Sequence, residues 1–193
     1  MCSLFKNKYR IGSKRYPGYD YSSPGRYFVT ICTKNKIPCF GKIENGEMVL
    51  SEIGKIADKH WRKIPDHFRY IKLDAFIIMP DHLHGIIIIN EKLNNNVVET
   101  LHATFLPSIE SDLPSIKSEF LNPVNGKMSL ISPKTGSLGS IIRSYKSVVS
   151  KNIHQINPDF SWQSRFNDHI IRTNRELCQI RKYIIMNPLK WDR

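Results

Sequence analysis

The segment Met79-Pro80-Asp81-His82-Leu83-His84-Gly85, running straight into Ile86-Ile87-Ile88-Ile89, constrains this chain more than any other. A β-branched apolar run after a turn reads as a strand, and in a strand successive side chains alternate faces. His82 and His84 therefore emerge on the same side with their Cα atoms roughly 7 Å apart, so both imidazoles can reach one cation. Two protein nitrogens leave most of a divalent ion's coordination sphere free. An ion with open positions can polarise a phosphoryl or carbonyl oxygen.

Charge says what such a site would act on. The chain has 193 residues and a formal net charge of +12, from 29 Lys and Arg against 17 Asp and Glu. That excess suits a polyanion, with nucleic acid first. Residues 91–137 hold four lysines against five acids, which leaves +13 on the rest of the chain. The basic surface thus belongs to the segments that look folded. With 40% hydrophobic residues the chain can bury one good core, so a single domain spanning 1–193 is expected. Cys2, Cys32, Cys39 and Cys178 form no CxxC pattern, and Lys6, Lys8 and Arg10 interrupt any signal-like start, which points to a reducing compartment. No apolar stretch approaches the ~20 residues needed to span a bilayer.

Residues 1–26 are basic and rich in Tyr, Gly, Ser and Pro, and read as an N-terminal arm. Tyr27 to Thr33 reads as the first strand. Asn45-Gly46, between Phe40-Ile43 and Met48-Leu50, supplies the positive φ angles of a tight hairpin. From Ser51, placed as an N-cap, Ile53, Ile56, Ala57, Trp61 and Ile64 recur at helical steps until Pro65. Tyr70 to Met79 and Leu83 to Ile89 read as strands, with the histidines at the start of the second. Residues 91–137 show no sustained period and read as a long flexible insertion. Leu138, Ile141, Ile142, Tyr145, Val148, Val149 and Ile153 form the apolar face of a further helix, with Arg143, Lys146 and Lys151 elsewhere on its wheel. A short strand follows near His169 to Arg172. Thr173 and Glu176 have capping-box spacing and open a last helix that should stop at Asn187-Pro188.

That last helix carries the second chemical signal. Glu176, Gln179, Tyr183 and Asn187 make one polar line, beside the apolar line of Leu177, Ile180 and Ile184. The Tyr183 phenol can be a nucleophile towards phosphorus, and Asn187 sets an amide oxygen about 6 Å further along the same face. A free phenol has a pKa near 10, so a cation neutralising the attacked phosphate would help to use it. Tyr145 is the rival, but Ile141 and Val149 bracket it and it reads as core. His60 and His67 have surface readings, His102 and His154 lie in or near irregular segments, and His169 reads mainly as a structural hydrogen-bonding residue.

MPDHLHGIIII, LGSIIRSYKSVVSKNI, WQSRFNDHIIR and ELCQIRKYIIMNPLKW, in that order, resemble the REP-associated tyrosine transposases, a branch of the single-tyrosine transposases in the HUH endonuclease superfamily. YDYSSPGRYFVTICTKNK and FGKIENGEMVLSEIGKIAD are similar to the same group. The resemblance spans roughly residues 19–90 and 138–191. It implies an α+β fold: a ferredoxin-like antiparallel sheet with helices packed on one face. It implies metal ligation by His82, His84 and Asn187 and catalysis by Tyr183; of the divalent ions, Mg²⁺ and Mn²⁺ fit a phosphate-handling site with open positions. The implied reaction is nicking and joining of single-stranded DNA through a 5′-phosphotyrosine intermediate, in DNA transposition at hairpin-forming repeats. The implied partner is single-stranded or hairpin DNA, met by one copy of the chain or by a homodimer, in the bacterial cytoplasm.

Arg143, Lys146, Lys151 and Arg172 are the basic residues best placed to meet that DNA. Two departures stand out: relatives carry Asn or Glu where this chain has Asp81, which as a strand neighbour should point away from the metal and change little, and Tyr145 replaces a common Phe. A non-catalytic nucleic-acid-binding descendant and a metal-assisted hydrolase without a covalent step are the competing readings. Retention of His82, His84, Tyr183 and Asn187 together argues against the first, and a trapped protein–DNA adduct would exclude the second.

The charge distribution makes a prediction. Affinity for single-stranded or hairpin DNA should fall steeply as salt rises, because phosphate contacts release counterions. Replacing residues 94–134 by a short Gly/Ser linker should leave the slope of log affinity against log salt nearly unchanged. A much shallower slope would place the phosphate contacts in the insertion.

Overall fold

Alternate residues of Ile86 to Ile89 face opposite ways, so four isoleucines in a row are stable only in a strand covered on both faces. The computed structural model, which describes residues 16–91 and 134–191, has this arrangement. In chain order the elements are β1 (Gly25–Cys32), β2 (Gly41–Glu44), β3 (Glu47–Leu50), α1 (Glu52–Arg62), a single turn α2 (Ile64–His67), β4 (Ile71–Ile78), β5 (His82–Ile89), α3 (Leu138–Ile153), β6 (Asn167–Ile171) and α4 (Asn174–Ile185). Four strands form an antiparallel sheet in the order β4-β5-β1-β6, and β2 and β3 form a separate ribbon. The mixed α+β class is therefore as the sequence suggests. β5 lies inside the sheet, paired with β1 along its whole length and with β4 on its other edge.

The two faces of the sheet have different covers. On one, α1 and α3 pack over Tyr27, Val29, Ile31, Leu83, Ile87 and Ile89, with Trp61 and Tyr145 meeting edge to face at 5.2 Å. On the other, α4 sets Leu177, Ile180 and Ile184 against Ile86 and Ile171, with Phe28, Ala75, Ile77 and Ile88 around them. Helices packed on one face are thus only part of the arrangement. A sheet buried on both sides needs a second cover, and the 3.6-residue period of α4 supplies an apolar stripe for it. Arg181 fixes that helix to the edge strand, its Nε and a terminal nitrogen donating to the two Asp74 oxygens at 2.9 and 2.6 Å. Asp74 sits where the β4 register shifts between Leu73 and Phe76, and Arg181 holds its carboxyl below the usual carboxylate range.

Local signals account for the element ends. Ser51 Oγ accepts from Gly54 N at 3.1 Å, Ser137 Oγ from Ser140 N at 3.3 Å and Thr173 Oγ1 from Glu176 N at 3.1 Å, each capping a helix start. Asn45 and Gly46 have φ of 52° and 78°, as a two-residue hairpin turn requires. Pro65 does not end helical structure outright; it occupies the first turn of α2, where its missing N–H costs nothing. Tyr19 and Tyr21, grouped with the arm on sequence, pack against the buried Tyr27. Residues 1–15 of the arm and 92–133 of the insertion lie outside the described residues. No helix among the described residues is long and apolar enough to cross a membrane.

Gly85 on β5 lies directly under the Trp61 ring of α1. A Cβ there would lie 2.3 Å from Trp61 Cζ2. Gly85→Ala should therefore destabilise the protein by about 1–3 kcal/mol through overpacking, measured by denaturant unfolding. Trp61→Phe in the same background should recover part of the loss, since it shrinks the ring, and the indole N–H has no partner among the described residues.

Candidate active site

The sheet places both histidines on the face that α4 covers. His84 lies opposite Thr30 on β1 and opposite Ile77 on β4, and His82 opposite Cys32. Their Nε2 atoms point at each other across 3.1 Å. The two Nδ1 atoms are held from behind: Thr30 Oγ1 is 2.8 Å from that of His84, and Asp81 Oδ1 is 2.5 Å from that of His82. Phe28 stacks on the His84 ring at 5.3 Å. Tyr183, 45% exposed on α4, brings its hydroxyl to 3.2 Å from His84 Nε2. The phenol ring meets both Phe28 and His84 edge on.

Burial sets the charge state of His84. His84 is 6% exposed, and desolvation, helped by the neighbouring His82, pushes its pKa down to about 3. The ring is neutral at physiological pH and offers a lone pair. Two unprotonated Nε2 atoms at 3.1 Å would repel, so the pair needs a shared proton or a cation between them. The spacing fits a cation, because two ligands at adjacent corners around one ion with bonds of about 2.1 Å are about 3 Å apart. Thr30 and Asp81, at the two Nδ1 atoms, fix the orientation of both rings. Among the described residues no group of three or more His, Cys, Asp and Glu could hold a metal ion, so further protein ligands would have to come from other side chains.

His82, His84 and Tyr183, which the sequence could only match by pattern, thus meet at one place. Asn187 lies in the turn after α4, half-buried, with its N–H donating to Ile184 O at 3.3 Å. Its side-chain amide takes no part in the hydrogen bonds joining the other three. Tyr145 is core, 2% exposed with its hydroxyl donating to Ala57 O at 3.2 Å, and burial raises its pKa. His169 pairs with Glu176 at 2.5 Å, at the start of α4.

Asp81 departs from its expected role. It precedes β5 in a bend, so strand alternation does not apply to it. Its backbone oxygen accepts from Thr33 N at 2.9 Å and Thr33 Oγ1 at 3.0 Å, and its carboxylate turns back onto His82. Thr30 and Phe28 are likewise new. Their signal was two-residue spacing on β1, which shows only once the β1–β5 register is known.

Of the basic residues, Arg143 and Lys151 stand exposed on α3, and the exposed Arg172 lies over the Tyr16 ring at 5.7 Å. Lys146 is engaged structurally: its ammonium donates to Gln163 O at 2.9 Å and Arg165 O at 2.5 Å, and burial lowers its pKa to about 8.

Comparison with known proteins agrees with this fold. A REP-associated tyrosine transposase, solved bound to a REP hairpin, superposes with a TM-score of 0.53 at 17% identity, over 92% of this chain and 73% of that one. The chain shares that transposase's fold. An uncharacterized protein of Haemophilus influenzae is 34% identical over 194 residues, covering 96% of this chain and 95% of its own length, and the chain belongs to the same family as that protein. No protein-family model matches the sequence.

The His84 environment predicts a pH response. Its folded pKa of about 3 lies below the ordinary histidine value of 6.5, so the unfolded chain takes up the proton first. The stability this residue contributes is complete above 6.5 and is lost as pH falls from there towards 3. In metal-free protein the His84 ring-proton NMR shift should stay constant from about pH 8 to about pH 5. A midpoint near 6.5 would show a solvated ring and refute the buried site.

Proposed function

We propose that this protein is a metal-dependent, transposase-type enzyme that nicks and rejoins single-stranded DNA through Tyr183. The observation that carries the reading is the convergence of the Tyr183 hydroxyl and the two histidine Nε2 atoms, 3.2 and 3.1 Å apart in succession. The basic charge outside the insertion and the shared transposase fold support it.

The residues present fit a divalent ion, Mg²⁺ or Mn²⁺. His82 and His84 would hold it, and Asn187 would do so by an amide oxygen from the turn beyond α4. When bound, such an ion supplies positive charge to a phosphate oxygen and so favours attack at phosphorus. In the cleavage step the Tyr183 oxygen bonds to phosphorus while its phenolic proton leaves to solvent. The bond from phosphorus to the 3′ oxygen breaks, and that oxygen takes up a proton. The products are a 5′-phosphotyrosine and a free 3′-OH, and attack by a 3′-OH on the phosphotyrosine rejoins a strand. Asp81 and Thr30 hold the imidazoles in place. Arg181 and the apolar stripe of α4 hold the phenol.

Incubation with labelled single-stranded hairpin DNA and Mg²⁺ or Mn²⁺, read on a denaturing gel, tests this. Wild type should form a covalent adduct whose modified peptide contains Tyr183. Tyr183→Phe should fold and bind DNA normally yet give no adduct, since it loses only the attacking oxygen. Excess EDTA, or His82→Ala with His84→Ala, should abolish cleavage and leave most of the DNA affinity. An adduct on Tyr145 would refute the assignment, and no adduct with any divalent ion would favour the non-catalytic binder.

A further inference from the structure

A groove of about 500 Å³ opens beside the histidine pair, on the side of His82. Trp191, Pro38 and Pro80 give it apolar walls, Lys36 and Lys42 lie on its lining, and Asp81 reaches it from below His82. The Trp191 ring is tilted 40° to that of His82, with centroids 5.9 Å apart, so this wall of the groove adjoins the candidate nicking centre.

Two features point to a ligand rather than a packing gap. Asn35 and Lys36 both have φ of 55°, a left-handed conformation that residues other than glycine adopt rarely. Such outliers gather where a loop is shaped for a ligand, and here the second of them carries a lysine into the groove. Lys42 is paired with Glu44 at 2.6 Å on the surface. An exposed pair of this kind is weak and readily exchanged for a phosphate. An aromatic face flanked by exposed cations is the arrangement that binds single-stranded nucleic acid, where bases stack and the backbone is met by positive charge.

We propose that this groove takes a nucleobase of single-stranded DNA next to the phosphate at the candidate active site, stacked against Trp191, with Lys36 and Lys42 meeting the flanking backbone. The proposal rests on the DNA-strand reading above and adds a recognition site distinct from the nicking residues. It makes Trp191 a residue that positions the strand and senses whether a base is present beside the cut.

The test compares binding of a short oligothymidine with binding of the same oligomer made abasic, without divalent ions so that nothing is cleaved. The wild-type protein should prefer the base-carrying strand by about tenfold, the scale of stacking on one aromatic residue. Trp191→Ala should remove most of that preference with little change in salt slope, and Trp191→Phe should retain it. Lys36→Gln with Lys42→Gln should do the reverse, flattening the salt slope while the preference for bases stays. An undiminished preference in Trp191→Ala overturns the proposal.

Should that variant not fold, long-wave ultraviolet cross-linking of 5-iodouracil-substituted oligothymidine to the wild-type protein decides. The adduct should map to the peptide containing Trp191, and an adduct confined to other peptides overturns the groove. A protein that forms no covalent adduct with any metal but shows Trp191-dependent base preference loses the proposed activity and keeps the groove. Normal nicking with base preference independent of Trp191 does the opposite.

Discussion

The alternation of side chains along β5 is the constraint on which the rest of the structure depends. Leu83, Gly85, Ile87 and Ile89 face α1 and α3, while His82, His84, Ile86 and Ile88 face α4. One strand thus contributes to two hydrophobic clusters and to the site. A slip of one residue would exchange the faces, placing imidazoles against Trp61 and leucine in the site. The pairing with β1 opposes such a slip, because Leu83, Ile86, Ile87 and Ile89 are almost fully buried and each is worth about 1.5–3 kcal/mol of burial.

Placing the site at the boundary between sheet and helix explains its electrostatics. His84 is deep enough for desolvation to keep it neutral, yet it lies at the end of β5 where the exposed edge of α4 lets Tyr183 reach solvent. The supporting residues divide the work. Thr30 and Asp81 set ring orientation by hydrogen bonds, Phe28 sets it by stacking, and the Asp74–Arg181 pair locates the helix that carries the phenol.

The same boundary continues past α4. The turn of Pro188–Lys190 ends at Trp191, beside His82, and the 34–36 turn follows β1 at the same end of the sheet, where Cys32 pairs with His82. The C-terminal end of β1 and the start of β5 therefore share one rim, where Tyr183 and the groove are exposed while the isoleucines behind them are sealed.

Much of this was written in local sequence. The helix caps at Ser51, Ser137 and Thr173, the Asn45-Gly46 turn, the shared face of His82 and His84 and the core position of Tyr145 all follow from residue type and a period of two or 3.6. These depend on neighbours a few residues away. Tertiary structure alone decided that α4 covers the opposite face from α1 and α3, that Thr30 and Phe28 stand behind His84, that Asp81 turns onto His82 instead of away, and that Lys146 is bound to the 163–165 backbone. Each joins segments far apart in the chain, as with the 54 residues between Thr30 and His84 or the 99 between His84 and Tyr183. Such contacts depend on strand register and helix docking, which are set by burial summed over the whole core and leave no periodic trace in any one segment.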